Sequence, residues 1–335
     1  MKASASCRFL SKHVLGLIAG AVLLAGAPAA FSAAQMHIAF GDIASVETLN
    51  FLIAIENAKA RGVDIKVTYF KSEDIAAQAV VAGQADIGVG TPYALLQKVK
   101  APIRIFYQLS ALRFFPVVNT GYYKDWKDLD GHEMTVHSRG SGTEAIMRLM
   151  AQRNGIEYSK ISYVPGSEVR AGAMLKGTIR ATIVDAANRR VLMDKGQGKF
   201  MVLPMAGVNA SDEALYANQE FLEKNAESID ILVEELVAVW RAINENPAYV
   251  VEQRKRLNLL PDLPADLEAE ILPYYQESTE SGAFPNNGGA DGAWNDDFDF
   301  YSVAGQLQGD PKSLKKEDFW ETGPLERALA KLGRA

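Results

Sequence analysis

The sequence predicts an α/β protein of two lobes, each a mainly parallel sheet with helices on both faces, joined by two hinge crossings. Three observations carry that reading. At 335 residues the chain exceeds the roughly 250–300 residues at which a single hydrophobic core stops growing. Strand and helix patterns alternate with short connections through residues 36–110 and again through 132–205, the order that right-handed crossovers and a parallel sheet require. Two segments rhyme, AAQAVVAGQADIGVGTP (76–92) and RAGAMLKGTIRATIVDA (170–186). Each is a small-residue helix stopped by glycine, followed by a strand that ends in a polar turn.

The N-terminus stands apart from that pattern. Residues 1–34 carry Lys2, Arg8 and Lys12 without an acid, then the apolar run VLGLIAGAVLLAGA, then small residues. This is the three-part pattern of a secretory signal peptide, and the run is shorter than the ~20 residues of a spanning helix. Export to the periplasm and cleavage near Ala34 are the expectation. Removing the segment takes the formal net charge from −6 to −9, because three cations leave and no acid does. It also removes Cys7, the one cysteine. An acidic chain argues against nucleic acid as a partner. A mature chain without cysteine has no disulfide, thiol nucleophile or thiolate metal site.

The elements follow in order. MHIAFG (36–41) alternates and ends at glycine, as a buried strand does. Residues 45–62 place Leu49, Leu52, Ile53 and Ile55 at helical spacing, closed by Gly62. DIKVTYF (64–70) is a second strand, and residues 72–83 form a helix opened by Ser72 and stopped by Gly83. ADIGVG is the third strand, TPYALLQKV a helix and PIRIFYQLS the fourth strand. In the second lobe, strands are expected at 132–138, 160–166, 180–186 and 199–205, with helices near 141–153, 167–177 and 187–196. The boundaries assigned are 35–115 for the first lobe, 116–205 for the second, and 206–335 for a return to the first. FFPVVNT (114–120) and residues 200–209 are read as the two joining segments. Beyond 210 the pattern is helical, led by the amphipathic DILVEELVAVWRAINENPAYVVEQRKRL, and these helices are expected on the first lobe.

Several stretches together resemble a family: VVAGQADIGVG, WKDLDGHEMTV, SRGSGTEAIMRLMAQRNGI, VPGSEVRAGAMLKG and LPYYQESTESGAFPNNGGADGAWNDDFDFYSVAGQL. In order and spacing they are similar to the periplasmic substrate-binding proteins of ABC importers, in the group of nitrate, taurine, alkanesulfonate and thiamine-pyrimidine binders. The resemblance runs over the whole mature chain. It implies a type II periplasmic-binding-protein-like fold, a cleft that closes on a small-molecule ligand, and delivery to a membrane permease, with no catalysis, no cofactor and a monomeric state. One departure stands out: Gly177 is followed by TIRATIVDA, with Arg180 where such proteins usually carry an acid-alanine pair. The alternative is an enzyme on the same fold, of the thiamine-pyrimidine synthase or menaquinone-pathway kind. The resemblance ties the synthase to a cysteine-rich motif and both enzymes to the cytoplasm.

The chemistry of the expected cleft is read from the strand ends, where ligands of such sheets bind. SRGSGTEA (138–145) follows a strand and opens a helix. Free N–H groups, the hydroxyls of Ser138, Ser141 and Thr143, the bare backbone of Gly142 and the side chain of Arg139 all favour an anionic or strongly accepting group. The competing reading is that Ser141 or Thr143 only caps its own helix. A helix terminus contributes ~0.3–1 kcal/mol, whereas micromolar binding needs about 8 kcal/mol, so the other lobe must contribute. Its candidates are Gly41, Asp42, Gly90, Thr91, Tyr93 and Ser110, with aromatic walls from Tyr93, Phe114, Phe115 or Trp294. Asp185 ends a second-lobe strand and either meets a ligand or caps the next helix. His137 ends a strand near the same place. No histidine has a partner at metal-ligand spacing, and no nucleophile-elbow or phosphate-loop motif is present. The ligand expected is a small organic molecule, anionic or heteroaromatic.

Overall fold

The computed structural model describes residues 35–205, 208 and 210–335. The leader read over 1–34 lies outside those residues. The first lobe opens as β1 (Met36–Phe40), α1 (Leu49–Ala60), β2 (Ile65–Tyr69), α2 (Glu73–Val81), β3 (Ile87–Gly90), α3 (Tyr93–Val99) and β4 (Ile103–Ala111). The chain then crosses to a second sheet as β5 (Phe115–Asn119), β6 (Glu133–Val136), α4 (Gly142–Asn154), β7 (Lys160–Tyr163), α5 (Ser167–Leu175), β8 (Ala181–Val184), α6 (Ala186–Lys195) and β9 (Phe200–Val202). It returns to the first sheet as β10 (Ser211–Asn218).

The two sheets are built alike. Their orders are β2-β1-β3-β10-β4 and β7-β6-β8-β5-β9. In the first, β1 runs parallel to β2 and β3, and β10 lies antiparallel between β3 and β4. In the second, β6 runs parallel to β7 and β8, and β5 lies antiparallel between β8 and β9. Each sheet therefore takes its one antiparallel strand from the segment that has just crossed over. Both of these strands correct the expectation. FFPVVNT was read as a joining segment and forms β5; residues beyond 210 were read as helical, and 211–218 form β10. The physical reason is shared. Both strands stand outside the strand–helix alternation that identified the others, and neither shows the polar-apolar alternation of a half-solvated strand. Pro116, which has no N–H to give, sits inside β5 and its carbonyl accepts from Leu203 N at 2.9 Å.

The remaining helices are α7 (Gln219–Lys224), α8 (Ala226–Glu245), α9 (Ala248–Leu257), α10 (Ala265–Ala269), α11 (Ile271–Glu280), α12 (Ala293–Val303) and α13 (Gly323–Leu332). α8 buries Leu232, Leu236, Val239, Trp240 and Ile243, a full stripe at helical spacing, and it packs on α1 and α13. Trp240 Nε1 donates to the carbonyl of Leu109 at 2.5 Å, tying that helix to β4. α11 also reaches the second lobe through α6. There Arg189 donates to Glu277 at 2.9 Å, and Arg190 donates to Glu270 at 2.5 Å and also to Glu277. Partly exposed pairs of this kind contribute roughly 0–1 kcal/mol each, so they set how the lobes meet more than how stable each is. Among the described residues no helix is long and apolar enough to cross a membrane.

Candidate functional site

The carboxyl ends of β1 and β3, and the starts of α1, α2 and β10, face the carboxyl ends of β6 and β8 and the starts of α4 and α5. Between them lies a cavity of about 30 Å³ lined by Asp42, Glu47, Glu73 and Asp212 from one side and by His137, Thr143 and Arg170 from the other, with Phe114 of the crossing at its edge. A second space of about 40 Å³ continues past Glu47 and Asp212 to Ser110, Arg113 and Phe115. Each is the size of one or two ordered waters, for which about 10–15 Å³ is the minimum.

His137 joins the two faces. Its Nε2 is 3.1 Å from the carbonyl of Gly41, across the cleft. Its Nδ1 is 3.3 Å from Gly166 N and 3.4 Å from Asp42 Oδ2. The carbonyl of Gly41 can only accept, so Nε2 carries a proton. Nδ1 then accepts from Gly166 in the neutral ring, or donates to Asp42 in the charged one. Arg170, 1% exposed, donates to the carbonyls of Ile183 (3.0 Å) and Val164 (2.9 Å) and to Ser167 Oγ (3.0 Å).

Carboxylates dominate the lining. Burial raises the pKa of Glu47 well above its ordinary value, and Asp185, Asp212, Glu213 and Asp42 push it further. Asp212 and Glu213 are raised well above theirs by burial and by the neighbouring acids. Glu168 is pushed up to about 7, chiefly by burial. Glu73 is raised by burial, against the opposing pull of His137 and of the Thr91 N–H. Like charges crowded into a poorly solvated gap keep one another protonated.

The expected site residues fall into three groups. Asp42, Gly142 and Thr143 line the cavity. Gly41 enters through its carbonyl, and Ser110 enters through Asp212, whose Oδ2 accepts from it at 3.4 Å. Asp185 caps α6, accepting from Asn188 N at 2.8 Å and from its Nδ2 at 2.9 Å, and its charge reaches Glu47.

The loop before α4 is satisfied largely from within. Ser141 Oγ accepts from Glu144 N as the helix cap. Thr143 Oγ1 accepts from His137 N at 3.1 Å, Glu144 Oε2 accepts from Gly140 N at 2.6 Å, and Ser138 N points to Ser141 Oγ at 3.4 Å. The anion-seeking donors inferred for this loop are thus partly consumed by its own hydroxyls and by Glu144. Of this loop's side chains, Ser138 alone has a buried oxygen without a partner among the described residues. Arg139 stands outside the cavity, its guanidinium 5.1 Å from the centre of the Tyr163 ring.

The third group corrects the expectation. Tyr93 is fully buried in the core below the strand ends. Its hydroxyl bonds to Asp297 and accepts from Trp320 Nε1 at 2.8 Å. Asp297, whose pKa burial pushes up to about 6, also accepts from Ser211 N and Oγ at 2.6 and 2.8 Å. Tyr93 therefore pins α3, α12 and β10 together and does not face a ligand. Trp294 packs on Trp320. Gly90 and Thr91 were expected to let a ligand approach bare backbone. Glu73 occupies that place instead: its Oε2 accepts from Thr91 N at 3.0 Å, with Thr91 Oγ1 at 3.3 Å, and a Cβ on Gly90 would stand 2.8 Å from the same oxygen. Gly88 makes room for Tyr216, since a Cβ there would meet the ring at 2.1 Å. Gly88→Ala should accordingly lower stability by about 1–3 kcal/mol, as overpacking does, with β3 and β10 forced apart. Equilibrium urea unfolding checks it; an unchanged midpoint would mean that Tyr216 moves freely.

Glu47, Glu73, Ser167, Arg170, Asp212 and Glu213 were not foreseen as lining. Glu73 was visible as an acid in the first turn of a helix, a position that normally points to the dipole alone. Asp212 and Glu213 were hidden with β10. Among the described residues no group of three or more His, Cys, Asp and Glu is arranged to hold a metal ion.

The family model described as NMT1/THI5 like matches residues 55–249. No curated protein matches by sequence. Solved structures share the fold at low identity. A protein from Bordetella bronchiseptica is 20% identical with a TM-score of 0.71, over 89% of this chain and 98% of that one. The periplasmic nitrate-binding protein NrtA from Synechocystis is 14% identical with a TM-score of 0.67, over 90% of each chain. The alkanesulfonate-binding protein SsuA from Xanthomonas axonopodis, bound to MOPS, is 13% identical with a TM-score of 0.58, over 82% of this chain and 95% of that one.

Proposed function

We propose, from the premise that this chain belongs to the NMT1/THI5-like family, that it is an extracytoplasmic solute receptor. It takes one small organic molecule between its lobes, which part to admit it because the closed gap of about 30 Å³ holds only water, and passes it, as a monomer and without turnover, to the membrane permease of an ABC importer. The single observation that supports this most is a cavity at the carboxyl ends of both sheets, lined by side chains from each lobe. Among the described residues the strand order changes sheet after β4 and again after β9, which suits a hinge. Nitrate and alkanesulfonate binders share the fold, which leaves the ligand to the chemistry of the lining.

That chemistry favours the heteroaromatic arm of the expectation over the anionic one. Asp42, Glu47, Glu73, Asp212 and Glu213 surround a space whose cations are Arg170 and His137. An anion entering there leaves those acids no counter-charge and keeps them protonated, whereas a heterocycle with a protonatable ring nitrogen or an amino group lets them ionise and donates to them. Phe114 and Phe115 offer ring faces at the crossing.

The test is a thermal-shift and calorimetric screen of mature protein with amino-substituted pyrimidines and related bases, alongside alkanesulfonates, nitrate and aromatic acids. A saturating base at about 100 times its Kd should stabilise by about 2.7 kcal/mol. Binding confined to sulfonates or nitrate would overturn the ligand class. Conversion of a bound compound would overturn the receptor reading.

A further inference from the structure

A further recess borders the cleft beside the interlobe cavity. A pocket of about 280 Å³ opens between the start of α2, the outer face of α3 and the loop that follows β6. It shares Glu73 with the cavity, so that one carboxylate forms a wall of both. Its body is apolar, formed by Ala77, Pro92 and Leu95. Tyr216 also lines it, and the Tyr216 hydroxyl is buried without a hydrogen-bond partner. The lining further includes Lys98 and Arg139, both exposed, and neither makes an ion pair among the described residues. Lys98 lies six residues beyond Pro92 on α3, about 9 Å along the helix axis, while Thr91 holds Glu73 at the opposite end.

The pocket is thus polarised along its length. One end presents a carboxylate and an unsatisfied phenol, the middle is apolar, and Lys98 stands at the far end of α3; Arg139 joins from the loop after β6, and Asp74 adds a second acid from α2. A buried hydroxyl left unpaired in a native fold calls for an explanation, and a ligand donor group placed between Tyr216 Oη and Glu73 supplies one. We propose that this pocket is a second binding site, for an ω-amino carboxylate with an apolar chain of about five or six carbons. The ammonium lies at Glu73 and Tyr216, the methylenes lie on Ala77, Pro92 and Leu95, and the carboxylate lies by Lys98. This site goes beyond the receptor reading and does not depend on which solute the interlobe cavity takes. Because Glu73 borders both spaces, occupancy of the pocket holds that carboxylate ionised and raises the affinity of the neighbouring cavity for a base.

The experiment titrates mature protein with 6-aminohexanoate, hexylamine, hexanoate and glycine, read by calorimetry and by chemical-shift changes of labelled protein. The expected order is 6-aminohexanoate first, hexylamine weaker, and no binding of hexanoate or glycine. Tyr216→Phe should weaken 6-aminohexanoate about fivefold to tenfold. Leu95→Trp and Gln78→Trp, on exposed or half-exposed helix faces, should fill the pocket and abolish it while leaving the melting temperature and any response to an interlobe base intact. Equal binding of hexanoate, or undiminished binding in both tryptophan variants, would overturn the proposal. Loss of the interlobe response alone would count against the receptor reading and leave the pocket standing.

Discussion

Arg170→Met should lower the unfolding free energy by about 3–5 kcal/mol, the cost of removing one partner from a buried charged cluster. The guanidinium is the least exposed cation among the described residues. Burial lowers its pKa, while Asp42, Asp185, Glu168 and Glu47 pull it back up. Its three hydrogen bonds join the end of β8, the turn after β7 and the first turn of α5. Methionine keeps most of the packing volume, so the loss is chiefly polar. The carbonyls of Ile183 and Val164 and the Ser167 hydroxyl lose their donor, and the acids of the cavity lose their nearest fixed cation. Lysine should not rescue the variant, because a point charge cannot serve three acceptors held in the plane of a guanidinium. Urea unfolding of the two variants at pH 7 checks this. A loss below about 1 kcal/mol for the methionine variant would show that water replaces the three bonds and that Arg170 does not organise the second face of the cleft.

The fold was legible wherever local pattern and tertiary environment agreed. β1, β2 and β3 read as strands because their flanking helices end at Gly62 and Gly83, both with positive φ in the structure. The stripe of α8 is amphipathic through five turns, and no other element could absorb it. The failures share one cause. β5 and β10 owe their conformation to partners far away in sequence: Val117 pairs with Thr182 and Val202, and Leu215 with Val89 and Tyr107. Neither is followed by an α-helix stopped at glycine, so no local signal marks where it begins or ends.

The site was legible as a place but not as a chemistry. The rule that strand ends carry ligands pointed to Asp42, Gly142 and Thr143, which line the interlobe cavity. The other acids of the lining were not legible, because a helix start attracts any carboxylate, including one from the same chain. Glu73 takes the donors of Thr91, and Glu144 takes that of Gly140. Tyr93 failed for a different reason. An aromatic at the first turn of a helix beyond a strand end faces either the cleft or the layer beneath, and Asp297, more than two hundred residues away, decides for the layer beneath.

Stability should fall as pH rises from about 4.5 to about 8, opposite to the usual acid denaturation of salt-bridged proteins. The sign follows from the direction of the shifts. Glu168 titrates near 7 in the folded state and near 4.5 when unfolded, so between those values the folded chain holds the extra proton. Raising the pH through that window ionises the unfolded state first and favours it. Glu47, Asp212 and Glu213 are raised well above their ordinary values and extend the decline upward. The lower bound comes from carboxylates shifted the other way. Ser162 holds Glu133 below its ordinary value, and Lys195 does the same for Asp266; their contribution is lost as pH drops below about 4. Glu168→Gln should therefore raise stability at pH 8 by about 1–2 kcal/mol, less than the full shift because the side chain keeps some exposure, and should leave stability at pH 4.5 unchanged. Urea midpoints measured across pH 4.5–8.5 decide it: a wild-type curve that climbs with pH would mean that the acids are compensated in the native cleft. A base bound in the cavity should flatten the same decline, since it supplies the positive charge that the folded carboxylates otherwise borrow as protons. The slope with and without ligand thus reads the charge of whatever the cleft accepts.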